Sequence, residues 1–187
     1  TEGRPVLGVV PFIHGLRLAE EDSVCLDEGY APGNEGKTDI AVIHLPHMAN
    51  FDDFDALALE AGVKIRFVRE LSEVGSPDAV IIPGTKTTID DLLWLKEMGF
   101  SEMLAYFRRL RIPIVGICGG YQMLGRSIKD PEGVEGPSRE ISGFGFFPFD
   151  TVFERGKITR KRAGVVRGKC GFFAQAGGFP VCGYEIH

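Results

Sequence analysis

One stretch constrains the fold of this chain more than any other: Pro-Ile-Val-Gly-Ile-Cys-Gly-Gly-Tyr-Gln-Met-Leu-Gly, residues 113–125. The apolar run 112–117 predicts a strand, two glycines follow Cys118 at once, and 121–124 continues as a helix. Gly116, Cys118 and Gly120 fill the spacing of a nucleophile elbow, with cysteine where many such turns carry serine. The mechanics of the turn explain the glycines. It holds its nucleophile at strained φ/ψ, and the neighbouring backbones come too close for a Cβ. A thiol there stands at the C-terminal edge of a sheet, where open α/β folds place their sites. The start of the following helix favours an anionic sulfur, and the Gly119 N–H points where an oxyanion would form. A buried structural cysteine in a glycine-rich strand end uses the same residues, so the surroundings must decide.

The surroundings predict a parallel sheet. Strands are expected at 40–45, 63–68 and 79–82, the last too apolar to be anything but central. Asn50 is placed to cap a helix whose apolar positions Phe51, Phe54, Leu57, Ala58 and Ala61 share a face, ending at Gly62. A further helix is read at 89–98 with Gly99 as its stop, and another capped by Ser101 and running to Leu110. Strands separated by helices of this length imply right-handed parallel crossovers. After Gly125 the texture changes. Residues 130–142 read as a polar loop, and short strands opening from 143–149, then at 151–153, 163–167 and 181–186, suggest an antiparallel extension. Residues 1–37 do not open like a domain: a short strand at 6–10 leads into a Gly/Pro-rich linker at 29–36.

Composition narrows the functional class. With 187 residues, 44% hydrophobic content and 25 glycines, the chain is one medium α/β domain with an appendage. A net charge of −5 argues against a nucleic-acid partner. No apolar run reaches membrane-spanning length and no signal-peptide pattern opens the chain, so a cytoplasmic protein with no membrane partner is expected. Cys25, Cys118, Cys170 and Cys182 are widely spaced, which indicates neither a zinc site nor a disulfide framework.

A second loop belongs at the same sheet edge as the elbow. Pro83-Gly84-Thr85 follows the apolar strand 79–82, and a glycine-containing turn there can aim a second backbone N–H at the oxyanion. Gln122 lies one helical turn past Cys118, facing the same way, where a carboxamide could bind a small polar substrate. A plain turn after a buried strand and a solvated helical Gln are the structural alternatives.

Taken together, Ile81-Ile82-Pro83-Gly84-Thr85-Lys86, Asp90-Asp91-Leu92-Leu93-Trp94-Leu95 and the 116–125 elbow resemble the class I (triad) glutamine amidotransferases. Gly8-Val9-Val10-Pro11, Glu21-Asp22-Ser23, the 45–55 stretch Leu-Pro-His-Met-Ala-Asn-Phe-Asp-Asp-Phe-Asp and the closing Gly183-Tyr184-Glu185-Ile186-His187 bring the resemblance nearest to the cobyric acid synthase group. That resemblance implies a flavodoxin-like glutaminase domain at 38–187, cut short at its C-terminus, preceded at 1–37 by the tail of an ATP-using synthetase domain plus a linker. It implies L-glutamine as substrate and a corrinoid, reached through the synthetase domain, whose peripheral carboxylates are amidated on the route to cobalamin. By the same likeness Cys118 is the nucleophile, Gly84, Thr85 and Gly119 are oxyanion donors, and Gln122 helps hold the glutamine.

Two parts of the pattern are missing. No Gly-x-x-x-x-Gly-Lys-Ser/Thr loop is present, so no cofactor is expected in this chain, and ATP and Mg belong to the synthetase domain. The family's catalytic histidine follows the Gly-Tyr-Glu-Ile-His segment at some distance, so the base is expected beyond His187 and the chain alone should hydrolyse glutamine weakly or not at all. Among the four histidines, His14 lies in the synthetase-like tail, and His44 and His47 bracket a strand end near the active edge. His187 is the best substitute base of the four, though a terminal residue is poorly held for catalysis. Two other jobs fit the same fold: a separate glutaminase subunit feeding peptidoglycan precursor amidation, and a non-catalytic or redox-sensing flavodoxin-like protein whose elbow cysteine is oxidised rather than acylated.

Overall fold

A computed structural model describes residues 38–137, 139–156, 159–168 and 171–186. The expectations for 1–37, Cys170 and His187 fall outside the described residues.

Four parallel strands form the main sheet: β1 (Thr38–Ile43), β2 (Val63–Val68), β3 (Ala79–Ile82) and β4 (Ile114–Gly116), in the order β2-β1-β3-β4. This is a doubly wound, flavodoxin-like order, and it sets β1 and β4 on either side of β3. Every residue of β3 is buried, as its uniformly apolar sequence predicts. Ala41, Val42, Ile43 and Leu45 beside it are wholly inaccessible, and so are Leu92, Leu95, Phe100 and Leu104 from the helices packed over the sheet.

Those helices are α3 (Thr88–Glu97) and α4 (Phe100–Arg109). Gly99 ends α3 and serves as the N-cap of α4 in a left-handed conformation (φ 82°), a geometry that suits glycine and lets the chain turn in one residue. Phe100 therefore enters the core at the start of α4, and Ser101 lies inside the helix instead of capping it.

The helix expected from Asn50 is much shorter. Asn50 does stand at the N-cap, but it is left-handed (φ 53°) and makes no side-chain cap bond; a 3-10 turn, Phe51–Phe54, runs into one α-helical turn, α1 (Asp55–Ala58). Only Phe54 and Ala58 bury fully, and two buried side chains do not sustain a longer amphipathic helix. A single-turn helix between β2 and β3, α2 (Leu71–Val74), was not anticipated. It is held by a capping box in which the Glu70 and Glu73 side chains accept from each other's backbone N–H groups.

Beyond the elbow helix α5 (Gly119–Met123) the loop expected at 130–142 is largely a hairpin. Strands β5 (Ser127–Asp130) and β6 (Arg139–Ser142) pair antiparallel, and β7 (Asp150–Val152) pairs parallel to β5. The extension is thus mixed where a purely antiparallel one was expected. Segment 143–147 is not a strand: Phe144, Gly145, Phe146 and Phe147 donate their N–H groups to the carbonyls of Met123, Gly125 and Leu124. It satisfies the otherwise orphaned C-terminal carbonyls of the elbow helix. Strands β8 (Thr159–Val165) and β9 (Pro180–Ile186) form a separate antiparallel ribbon. No helix among the described residues is long and apolar enough to cross a membrane.

Candidate functional site

The strand order brings three loops to one edge. β4 leads into Ile117 and Cys118, β3 leads into 83–87, and β1 leads into 44–50. Parallel strands share a direction, so all three loops leave from the same end of the sheet.

Cys118 sits at φ 49°, ψ −112°, a positive-φ conformation that a non-glycine residue rarely adopts and that must be imposed by its surroundings. Its thiol is free and exposed. The constraint is visible in the three glycines around it, none of which needs a positive φ. A Cβ on Gly116 would lie 2.6 Å from the Tyr121 Cα, one on Gly120 2.1 Å from the Ile82 carbonyl oxygen, and one on Gly119 2.7 Å from the Thr85 Cγ2. The elbow is pressed against β3 and its loop, and backbone contact fixes the thiol's position. Hydrogen bonds repeat the constraint: Ile117 N–H donates to Ile82 O (2.9 Å), Gly120 N–H to Ile117 O (2.9 Å) and Gln122 N–H to Cys118 O (3.1 Å).

The Gly84 turn lies against Cys118. A Cβ on Gly84 would stand 3.6 Å from the Cys118 Cβ, and the Thr85 nitrogen is 3.5 Å from where a Gly119 Cβ would project. Gly84, Thr85, Cys118 and Gly119 are therefore brought together as the spacing predicts. Gln122 is half-buried one turn along α5 from Cys118. Tyr121 lies on the exposed side of α5 and packs on Phe149, ring centroids 4.8 Å apart.

A polar network behind the Gly84 turn had no counterpart in the sequence reading. Asp91, in the first turn of α3, is wholly inaccessible to solvent. Its carboxylate accepts from His47 Nδ1–H (2.8 Å), from the Thr85 hydroxyl (2.5 Å) and from the His47 backbone N–H (3.3 Å). The Thr85 hydroxyl also accepts from the Thr87 N–H at 3.1 Å. The signal was available: Asp91 falls on the stripe of Thr88, Leu92 and Leu95, all buried, and a carboxylate on a buried stripe requires partners.

A second carboxylate organises the other flank. Burial alone would raise the Asp130 carboxyl, but the amides of Val134, Glu135 and Gly133, with Arg139 nearby, hold it below its ordinary value. The turn so formed presents Glu135, which accepts from the Thr88 hydroxyl (2.9 Å) and the Ile89 N–H (3.2 Å). Glu135 thereby caps α3 in place of Thr87, whose own hydroxyl makes no cap bond.

The two described imidazoles have partners away from the Gly84 turn's oxyanion side. His47 gives its Nδ1–H to Asp91, and His44 lies against the Phe51 ring (5.7 Å) with Arg69 beside it (3.4 Å).

Comparison with known proteins agrees with this geometry. Residues 39–187 match the family of CobB/CobQ-like glutamine amidotransferase domains. The cobyric acid synthase of Pelotomaculum thermopropionicum is 49% identical over 99% of this chain and 35% of its own length. The one from Moorella thermoacetica is 49% identical over 99% of this chain and 36% of its own, and the one from Desulfitobacterium hafniense 48% over 99% and 37%. The chain thus spans about a third of the length of the curated relatives it matches. The solved structure of PurLQS from Thermotoga maritima superposes with a TM-score of 0.52 at 16% identity, covering 81% of this chain and 66% of that one, a likeness of fold. On the match along 39–187 and the identity to these synthases, the chain belongs to the CobB/CobQ-like glutamine amidotransferase domain family.

Proposed function

We propose that Cys118 is the nucleophile of a glutaminase whose ammonia serves ATP-dependent amidation of corrinoid carboxylates in a cobyric acid synthase. The observation that carries this is the exposed thiol on a positive-φ bend, with the Gly84 turn across from it at 3.6 Å between the real Cβ of Cys118 and the position a Gly84 Cβ would take. The sulfur attacks the side-chain carboxamide carbon of glutamine, forming the S–C bond and a tetrahedral oxyanion. The Gly119 and Thr85 N–H groups receive that oxyanion, and Gln122 contributes to holding the substrate. The C–N bond then breaks, the thiol's proton leaves on ammonia, and water hydrolyses the thioester to glutamate and the free thiol. The corrinoid and its ATP and Mg are handled by a synthetase region of the relatives' type.

A glutamine-analogue diazoketone tests the assignment. It should label Cys118 stoichiometrically, glutamine should protect against labelling, and Cys118→Ala should abolish both labelling and ammonia release. Labelling elsewhere, or hydrolysis that survives Cys118→Ala, refutes the nucleophile. His47 Nδ1 is engaged by Asp91, and the resemblance places the family's base after the Gly183–His187 segment, so we infer that the 187-residue chain alone releases ammonia slowly. The intact polypeptide should exceed it by about 10²–10⁴-fold, the usual contribution of a positioned base. Equal rates would mean the base is already present in these residues.

A further inference from the structure

Building on the nucleophile assigned above, we infer that Asp91 and His47 are positioning residues for the oxyanion site. They act through the 47–49 segment and the Thr85 hydroxyl to fix which way the Gly84–Thr85 peptide faces.

The orientation of that peptide follows from two observations. Its carbonyl, Gly84 O, accepts from the Ala49 N–H at 2.9 Å, and no cis peptide bond is present among the described residues. A trans peptide directs its N–H opposite to its C=O. The Thr85 N–H is therefore turned away from segment 47–49, while the nitrogen itself lies against Gly119 of the elbow. Flipping the peptide would exchange donor for acceptor at the oxyanion position and break the Ala49 bond.

Segment 47–49 can hold the peptide only if it is itself held. Ala49 N–H to Gly84 O and Lys86 N–H to His47 O (3.0 Å) join it to the turn and together make the antiparallel bridge between Met48 and Thr85, and the Thr85 hydroxyl also lies 3.1 Å from His47 O. Asp91 ties both partners to the rigid α3: one oxygen takes the His47 ring, and the other takes the Thr85 hydroxyl and the His47 backbone. A carboxylate accepts only, so Nδ1 of His47 carries the proton. The His47 side chain is otherwise 51% exposed, which leaves the Asp91 bond as its fixed point. A buried carboxylate with three donors is costly to disturb, because any lost donor leaves charge uncompensated. That cost is what makes the turn stiff.

The test uses the intact polypeptide and two reactions of one thiol. Glutamine hydrolysis passes through an oxyanion. Alkylation by iodoacetamide is a displacement at carbon, forming S–C and expelling iodide, with no oxyanion. Removing one oxyanion donor costs roughly 10²–10³-fold in kcat, so loosening one should cost about tenfold or more. Asp91→Asn, His47→Leu and the near-isosteric Thr85→Val should each lower kcat for hydrolysis by at least that factor. KM should stay within about threefold and the iodoacetamide rate within about twofold. His47→Asn, whose carboxamide can donate from the position of Nδ1, should recover most of the kcat lost in His47→Leu. The inference is overturned if folded Thr85→Val and His47→Leu hydrolyse glutamine at the parent rate. It is equally overturned if alkylation falls in step with hydrolysis, which would mark a general loss of the elbow. Cys118→Ser run alongside separates the two readings: undiminished hydrolysis there removes the nucleophile on which this inference rests.

Discussion

Gly120→Ala puts the strongest demand on the elbow. The added Cβ would stand 2.1 Å from the Ile82 carbonyl oxygen and 2.7 Å from both the Ile82 carbonyl carbon and the Pro83 oxygen. An ordinary C···O separation is about 3.3 Å, so the elbow would have to retreat from β3 by roughly 1.2 Å. Nothing at the contact is a flexible side-chain end that could swing aside, since all three atoms are backbone. The same Ile82 oxygen accepts the Ile117 N–H at 2.9 Å, so retreat also stretches a β3–β4 bond. Overpacking of about 1–3 kcal/mol plus a hydrogen bond of about 1 kcal/mol gives roughly 2–4 kcal/mol. For a domain of this size that corresponds to a melting temperature lower by about 5–15 °C. A nucleophile displaced by about 1 Å should also lose on the order of 10²-fold in glutamine turnover. Thermal unfolding followed by circular dichroism, with ammonia release from the intact polypeptide, reads both quantities. Gly183→Ala is the control, because its Cβ would meet nothing within 4 Å and its backbone is not in the left-handed region. A Gly120→Ala protein that melts within about 2 °C of the parent and turns over at the parent rate would show that backbone contact with β3 does not set the elbow.

Two further outcomes come from carboxylates, Glu135 and Asp130 on the flank of the site and Asp39 at the opposite end of β1. Glu135→Ala removes the acceptor of the Ile89 N–H and the Thr88 hydroxyl, and losing such a cap should cost about 0.5–2 kcal/mol in a denaturant titration; an unchanged midpoint would mean water replaces the cap at no cost. The hydrogen bond from Arg66 holds the Asp39 carboxyl below its usual range, and the Asp130 carboxyl is likewise depressed, by the amides that outweigh its burial. Depressed carboxyls bind more protons unfolded than folded, so their stabilisation is complete above an unfolded pKa of about 3.9 and fades as pH falls through the lower folded values. Melting temperature should therefore drop below about pH 4, and less steeply in Asp130→Asn; parallel pH profiles for parent and variant would exclude Asp130 from the acid response.

Much of the fold was legible because β strands declare themselves by apolar runs. Residues 63–68 and 79–82 were read with the bounds they have, and the elbow's glycines predicted close backbone approach at Gly116 and Gly120. Reading failed where local pattern and tertiary context disagree. Residues 51–61 show helical spacing, but the left-handed Asn50 and the burial of only Phe54 and Ala58 leave two single turns. Residues 130–142 look polar because, apart from Ile141 against the core, key buried contacts are made by Asp130 and Glu135, carboxylates serving backbone amides and a helix end.

The site divides along the same line. Cys118, Gly119 and Gly84 could be found because glycine at a strand end has a local mechanical meaning that needs no knowledge of neighbours. Asp91 and His47 could not be paired that way, since they are 44 residues apart and meet only because strand order seats the β1 loop beside the β3 loop. Strand order is a property of the whole sheet: β1 and β3 are its two internal strands, and β3 is the one buried along its full length. Once β3 is central with β1 on one side and β4 on the other, the loop carrying the nucleophile and the loop carrying His47 must flank the same Gly84 turn. The turn is then constrained from both sides: elbow backbone presses on it from β4, and a buried carboxylate anchors it from α3 through the β1 loop. A donor group that has to be aimed before substrate arrives needs such two-sided restraint, because energy spent on aiming it during the reaction would be lost from catalysis.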